Sequence, residues 1–141
     1  MKTVALVQAR MGSTRLLNKV MKPINGVPMI GLLLQRLSKS KKIDQIVLVT
    51  TYNKKEKPLI DYVSKIGFEV FQGSENDVLS RYYHAAKKYN ADAVVRVTGD
   101  CPIIDPEIVD DIVQVFFFIV MEHLRPRSTL IPYTTLFRSW I

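Results

Sequence analysis

Sulfur and imidazole chemistry are almost missing from this chain. Its one cysteine, Cys101, excludes an internal disulfide, fits a reducing compartment and points to the cytoplasm. Only two histidines occur, and neither His84 nor His123 has a His, Cys or carboxylate companion at metal-ligand spacing. The longest apolar run, residues 115–121, falls well short of the roughly 20 residues that cross a bilayer. The N-terminus carries Lys2 and then enters a strand-like segment, without the apolar stretch of a signal peptide. No aromatic residues interleave with the lysines of 39–42 and 54–57, so a base-stacking platform for nucleic acid is lacking. These lysine clusters therefore read as solvated surface. The net charge of +7 still suits a small anionic ligand.

What is present is a soluble α/β pattern. At 141 residues, with 48% hydrophobic and 23% charged side chains, the chain can bury one core. Strand-like and helix-like segments alternate, as in a parallel sheet. Strands are expected at 3–9, 45–51, 69–71 and 93–98, the second with the continuous Ile46-Val-Leu-Val49 run of a sheet interior. Helices are expected at 29–39 after Pro28, at 58–66 closed by Gly67, at 76–89 and at 106–115. The 76–89 helix is expected to bury Val78, Leu79, Tyr82, Ala86 and Tyr89, while Asp110 and Asp111 fall on the polar face of the last helix. After about residue 116 the amphipathic pattern stops. Pro126 and Pro132 interrupt a segment carrying Arg125, Arg127 and Arg138, so 117–141 reads as a tail foreign to the domain of 1–116.

Three segments carry candidate chemistry. The first is Gln8-Ala-Arg-Met-Gly-Ser-Thr-Arg15, directly after the first strand. Gly12 admits a close anion, Ser13 and Thr14 offer hydroxyls, and Arg10 and Arg15 offer forked cationic donors, with Lys19 just beyond. The loop matches neither the dinucleotide fingerprint nor the P-loop. The second is Thr98-Gly-Asp-Cys-Pro102, where Asp100 either holds a hard cation such as Mg²⁺ or organises a turn. The third is Gln72-Gly-Ser-Glu-Asn-Asp77, in which Ser74 or Asn76 caps the following helix. Gly73 and Ser74 are also placed to meet a base or sugar, with Arg81 one turn into the helix.

These motifs occur in one order with Asn25-Gly-Val-Pro-Met-Ile30, Arg81-Tyr-Tyr83 and Ile104-Asp-Pro106. Together they resemble the cytidylyltransferases that make CMP-activated sugars, in particular the spore-coat polysaccharide type related to the acylneuraminate and 3-deoxy-manno-octulosonate enzymes. The resemblance covers about residues 1–116. It implies a Rossmann-like nucleotide-diphosphosugar transferase fold, an α/β/α sandwich with a mostly parallel sheet. It also implies that CMP passes from CTP to a sugar, an acidic one in the related enzymes, for surface polysaccharide biosynthesis. By this resemblance Arg10, Ser13, Arg15 and Lys19 bind the triphosphate. The segment Gln8, Ala9, Gly12, Gly73, Ser74 and Arg81 surrounds the rest of the nucleotide, and Asp100 holds Mg²⁺. Catalytic roles fall to Arg10, Lys19 and Asp100. The partners implied are CTP and a sugar acceptor, with neither nucleic acid nor membrane, and the full-length family member is expected to be a homodimer.

Two departures stand out. Leu17-Asn18 replace the Pro-Gly that usually precedes the family's lysine, which puts the placing of Lys19 in question. The family's domain is also roughly twice this long, so the chain reads as a truncated, inactive fragment. A non-catalytic nucleotide- or phosphate-binding module is the alternative.

Overall fold

The computed structural model describes residues 1–12 and 16–123. The expectations for Ser13 and Arg15, and for the tail from 124 onward, lie outside the described residues.

Four parallel strands form the main sheet: β1 (Thr3–Gln8), β4 (Gln45–Thr51), β5 (Glu69–Gly73) and β6 (Ala93–Thr98), in the spatial order β5-β4-β1-β6. Their apolar residues alternate between two covered faces, as a sheet buried on both sides requires. Ala5, Val7 and Leu48 face one cluster with α1 (Met29–Leu37), α2 (Lys57–Lys65) and α4 (Pro106–His123). Val4, Leu6, Val47 and Val49 face the other, against α3 (Val78–Lys88) through Ala85 and the adjoining Tyr89. The result is the expected α/β/α sandwich.

α1 follows the pattern of its sequence, with Ile30, Leu33, Leu34 and Leu37 fully buried. Before it, Pro23–Ile24 (β2) and Val27–Pro28 (β3) pair as a small hairpin. Asn25 and Gly26 make its tip with φ of 49° and 81°, the two positive values that a tight hairpin turn needs.

Three expectations change. β5 runs on to Gly73, because its backbone continues to pair with Thr51. α3 begins at Val78, and its cap is Asp77, whose Oδ1 accepts the Ser80 N–H at 2.8 Å, rather than Ser74 or Asn76. Leu79 is 74% exposed, while Arg81 and Ala85 join the expected Tyr82 and Tyr89 on the buried side. α4 does not stop at 115. It continues to His123, because nothing in Phe116-Phe-Phe-Ile-Val-Met121 breaks a helix, even though most of that stretch is open to solvent. Val109, Val113 and Phe117 hold its inner side to the core, whereas Ile108, Ile112, Val115, Phe116, Phe118, Ile119 and Met121 are exposed.

Asp110 is likewise more than a polar surface residue. Its carboxylate accepts from the Ser40 hydroxyl and from the Lys41 and Lys42 N–H groups, pinning the turn after α1 to α4. Partial burial opposes its ionisation, but these donors outweigh it and hold its pKa below the ordinary aspartate value.

Candidate active site

The chain leaves β1 toward β4 on one side, and later returns to β6 on the other. The crevice above the carboxyl ends of β1 and β6 is thus the topological switch point, the place where open parallel sheets receive ligands. The first loop and the Thr98–Cys101 turn both begin there.

Gly99 brings the two together. Its N–H donates to the Gln8 carbonyl at 2.7 Å. A Cβ built on Gly99 would lie 2.7 Å from Ala9 Cβ and 2.9 Å from the Gln8 oxygen, so no larger residue fits. The next residue, Asp100, therefore stands over the end of β1, where its Oδ2 lies 3.4 Å from Lys19 Nζ. A hydrogen bond from the Thr98 hydroxyl lowers the Asp100 pKa most; partial burial works against this, and the Lys19 ammonium adds to the lowering.

Lys19 opens a short 3-10 turn, Lys19–Met21, and the residue before it settles the question raised by Leu17-Asn18. Asn18 has φ 55° and ψ 28°, in the left-handed region that glycine would occupy. Asparagine is among the few other residues that tolerate that region. The turn survives the loss of glycine, and Lys19 still reaches Asp100. Arg10 and Gly12 are exposed on the loop that leads there, and the buried Val20 side chain anchors its exit. A Cβ on Gly12 would meet nothing within 4 Å, so the fold itself does not require glycine there.

Gln8 is held from two sides: its Oε1 accepts from the Tyr82 hydroxyl at 3.0 Å and from the Arg96 guanidinium at 3.5 Å. Arg96 also lies over the Tyr82 ring at 5.5 Å. Burial raises the Tyr82 pKa, and Arg96 and Arg81 oppose the rise, so Tyr82 stays a protonated donor near neutral pH. In the sequence Tyr82 is a core residue within Arg81-Tyr-Tyr83, and Arg96 opens the run Arg96-Val-Thr-Gly-Asp-Cys-Pro102. Their joint grip on Gln8 comes from α3 and β6 packing on either side of β1.

The third segment lies at the end of β5. Arg81 is 3% exposed and does not face the crevice openly. Its guanidinium donates to the Ser74 carbonyl at 2.6 Å, and its aliphatic stem fills the space a Cβ on Gly73 would need, at 2.7 Å. Arg81 thus supports the Gly73–Ser74 backbone from beneath. The Ser74 hydroxyl accepts the Asp77 N–H at 3.1 Å and retains its own proton for donation.

One residue has no counterpart among the sequence expectations. Glu56 sits in the Lys54-Lys-Glu-Lys57 run, yet it is only 3% exposed. Its Oε2 accepts the Met11 N–H at 2.9 Å and the Thr50 hydroxyl at 3.1 Å, and the Thr51 hydroxyl lies 3.5 Å from Oε1. The only hint in the sequence is a lone acid within a basic run, just after a strand ending in two threonines.

Asp100 suits Mg²⁺ chemically, being a partly exposed carboxylate kept ionised beside a cation and facing the strand ends. No group of three His, Cys, Asp or Glu gathers among the described residues. A cation there would rest on Asp100 and on ligand oxygens, which is how Mg²⁺ is commonly held. No helix among the described residues is long and apolar enough to cross a membrane.

The family model described as cytidylyltransferase matches residues 4–117. A cytidylyltransferase structure from Leptospira borgpetersenii is 44% identical, with a TM-score of 0.80 over 84% of this chain and 50% of that one. A structure of CMP:2-keto-3-deoxy-manno-octonic acid synthetase complexed with CTP is 25% identical, with a TM-score of 0.73 over 84% and 48%. The Bacillus subtilis spore coat polysaccharide biosynthesis protein SpsF is 36% identical over 116 residues, 79% of this chain and 48% of its own length. The chain spans about half the length of the curated relatives it matches. With the motifs in order, the sheet topology and the loop geometry all agreeing with that match, the chain belongs to the cytidylyltransferase family.

Proposed function

We propose that residues 1–123 form the CTP-binding half of a sugar cytidylyltransferase, which transfers CMP to a sugar hydroxyl and releases pyrophosphate in the cytoplasm. The observation that carries this reading is the pairing of Lys19 with Asp100 above the switch point of the sheet. A cation donor and a carboxylate there are poised for opposite ends of one task. Lys19 and Arg10 take phosphate oxygens and stabilise the charge that develops on the leaving pyrophosphate. Bound at Asp100, Mg²⁺ would supply charge neutralisation of the phosphates. Gln8 and the Gly73–Ser74 backbone, braced by Tyr82, Arg96 and Arg81, offer fixed polar groups for the base and ribose.

The relatives named above support CTP as donor and an acidic sugar of surface polysaccharides as acceptor. The chain spans about half the length of these relatives, and turnover by these 141 residues alone is expected to be negligible. Titration calorimetry with CTP, UTP and ATP, with and without Mg²⁺, tests the reading. Saturable binding that prefers CTP, strengthens with Mg²⁺ and weakens in Asp100→Ala supports it. CTP binding indifferent to both Mg²⁺ and Asp100 would instead make the chain a non-catalytic binding module.

A further inference from the structure

We infer that Glu56 is a positioning residue that fixes the course of the backbone at Met11, and through it the approach to Lys19, before any ligand arrives. This rests on the CTP reading above. The loop after β1 must leave a buried strand, turn at Met11 and Gly12 and return through Asn18 to Lys19. Glu56, from a different part of the fold, grips that loop's backbone at the Met11 N–H. Met11 in turn offers its carbonyl to the Asn18 N–H at 3.4 Å, so the grip is handed on to the residue that precedes Lys19. The carboxyl is locked by Thr50 and Thr51 at the end of β4, which makes it a rigid strut between a central strand and the loop.

The surroundings argue against an incidental contact. Lys54, Lys55 and Lys57 flank Glu56 and are exposed to solvent, whereas Glu56 turns inward and is buried. The carboxyl keeps its bond to the Met11 N–H only while the backbone there holds this course, so each stabilises the other. The consequence is preorganisation. Backbone already held at Met11 and Asn18 loses less freedom when a triphosphate binds, and the affinity for CTP rises accordingly.

The test compares Glu56→Ala, Glu56→Gln and Thr50→Val with the unaltered chain at a temperature where all are folded. Glutamine keeps an oxygen for the Met11 N–H and turns its amide N–H₂ to the Thr51 hydroxyl, so it is the rescuing variant. Amide hydrogen exchange at Met11 is expected to quicken at least a hundredfold in Glu56→Ala, by less in Thr50→Val, and hardly at all in Glu56→Gln. The dissociation constant for CTP is expected to rise about tenfold in Glu56→Ala and less than threefold in Glu56→Gln. A role confined to stability would lower the melting temperature of Glu56→Ala and leave CTP affinity of the folded protein unchanged, and that result overturns the inference. Unchanged Met11 exchange in Glu56→Ala overturns it as well. Should Glu56→Ala not fold, Thr50→Val decides the matter, and its failure to change either readout overturns the strut. If the unaltered chain binds no CTP, the functional reading fails, and Met11 exchange still decides whether Glu56 shapes the loop.

Discussion

Lys19 and Asp100 are separated by 81 positions in the chain and meet with Nζ and Oδ2 3.4 Å apart. Both are partly open to water, at 38% and 53% side-chain exposure, so the pair does little for stability. Under the proposed function, its place above the switch point serves ligand binding instead. Asp100→Ala is expected to leave thermal stability within about 1 kcal/mol of the unaltered protein. The same change is expected to abolish the Mg²⁺-dependent part of CTP affinity. Differential scanning calorimetry and isothermal titration on one sample set check the two halves together.

Gly99→Ala inserts a methyl group 2.7 Å from Ala9 Cβ and 2.9 Å from the Gln8 carbonyl. Neither neighbour is the end of a flexible side chain, so the turn must move. A loss of about 1–3 kcal/mol is expected in urea denaturation, as for other overpacked sites. Weaker CTP binding should accompany it, because Asp100 moves with the turn.

Asn18 occupies the left-handed region at φ 55°. Asn18→Gly is expected to be neutral or slightly stabilising, and Asn18→Val to cost about 1–2 kcal/mol, since a β-branched residue resists that conformation. CTP affinity should follow the same order, with valine the weakest. An Asn18→Val protein as stable as the original would show that the loop takes another course.

Acid sensitivity follows from Asp110. Its folded-state pKa is lowered, so it contributes stability above the pKa of the unfolded chain, about 3.9 for aspartate. That contribution is lost as pH falls through the lower folded value. Asp110→Asn is expected to flatten this acid limb of a stability-against-pH curve and leave the shape above about pH 5 unchanged. Circular dichroism melts across the acid range up to neutrality read the difference.

The outer side of α4 predicts a surface property. Ile108, Ile112, Val115 and Ile119 are 46–61% exposed and fall on one stripe of the helix. A contiguous apolar surface of this kind binds hydrophobic dyes and promotes association. Fluorescence of anilinonaphthalene sulfonate is expected to be bright with the unaltered chain and to fall in Ile112→Lys/Ile119→Lys.

Much of this molecule is legible in its residues. Strands 45–51 and 93–98 have the observed limits because short runs rich in β-branched residues favour strands. Helix limits are harder to read. The cap of α3 falls on Asp77 although Ser74, Asn76 and Asp77 are all capable, and only the direction in which β5 delivers the chain selects one. The extension of α4 escapes a reading based on amphipathic period, because a helix with apolar residues on its exposed sides lacks that sign.

Residue type, spacing and order are enough to read the fold class, the family and the three candidate segments that follow β1, β5 and β6. Tertiary structure alone decided how those segments meet. It put Lys19 beside Asp100, carried Asn18 through a turn usually given to glycine, and buried Arg81 against the Gly73–Ser74 backbone. It also made a strut of Glu56, which reads on paper as one more charge on a solvated run. The reason is physical. Periodicity reports which side of an element is buried, but contacts between residues many positions apart are set by how strands are ordered in the sheet, and that order is written in no local stretch of chain.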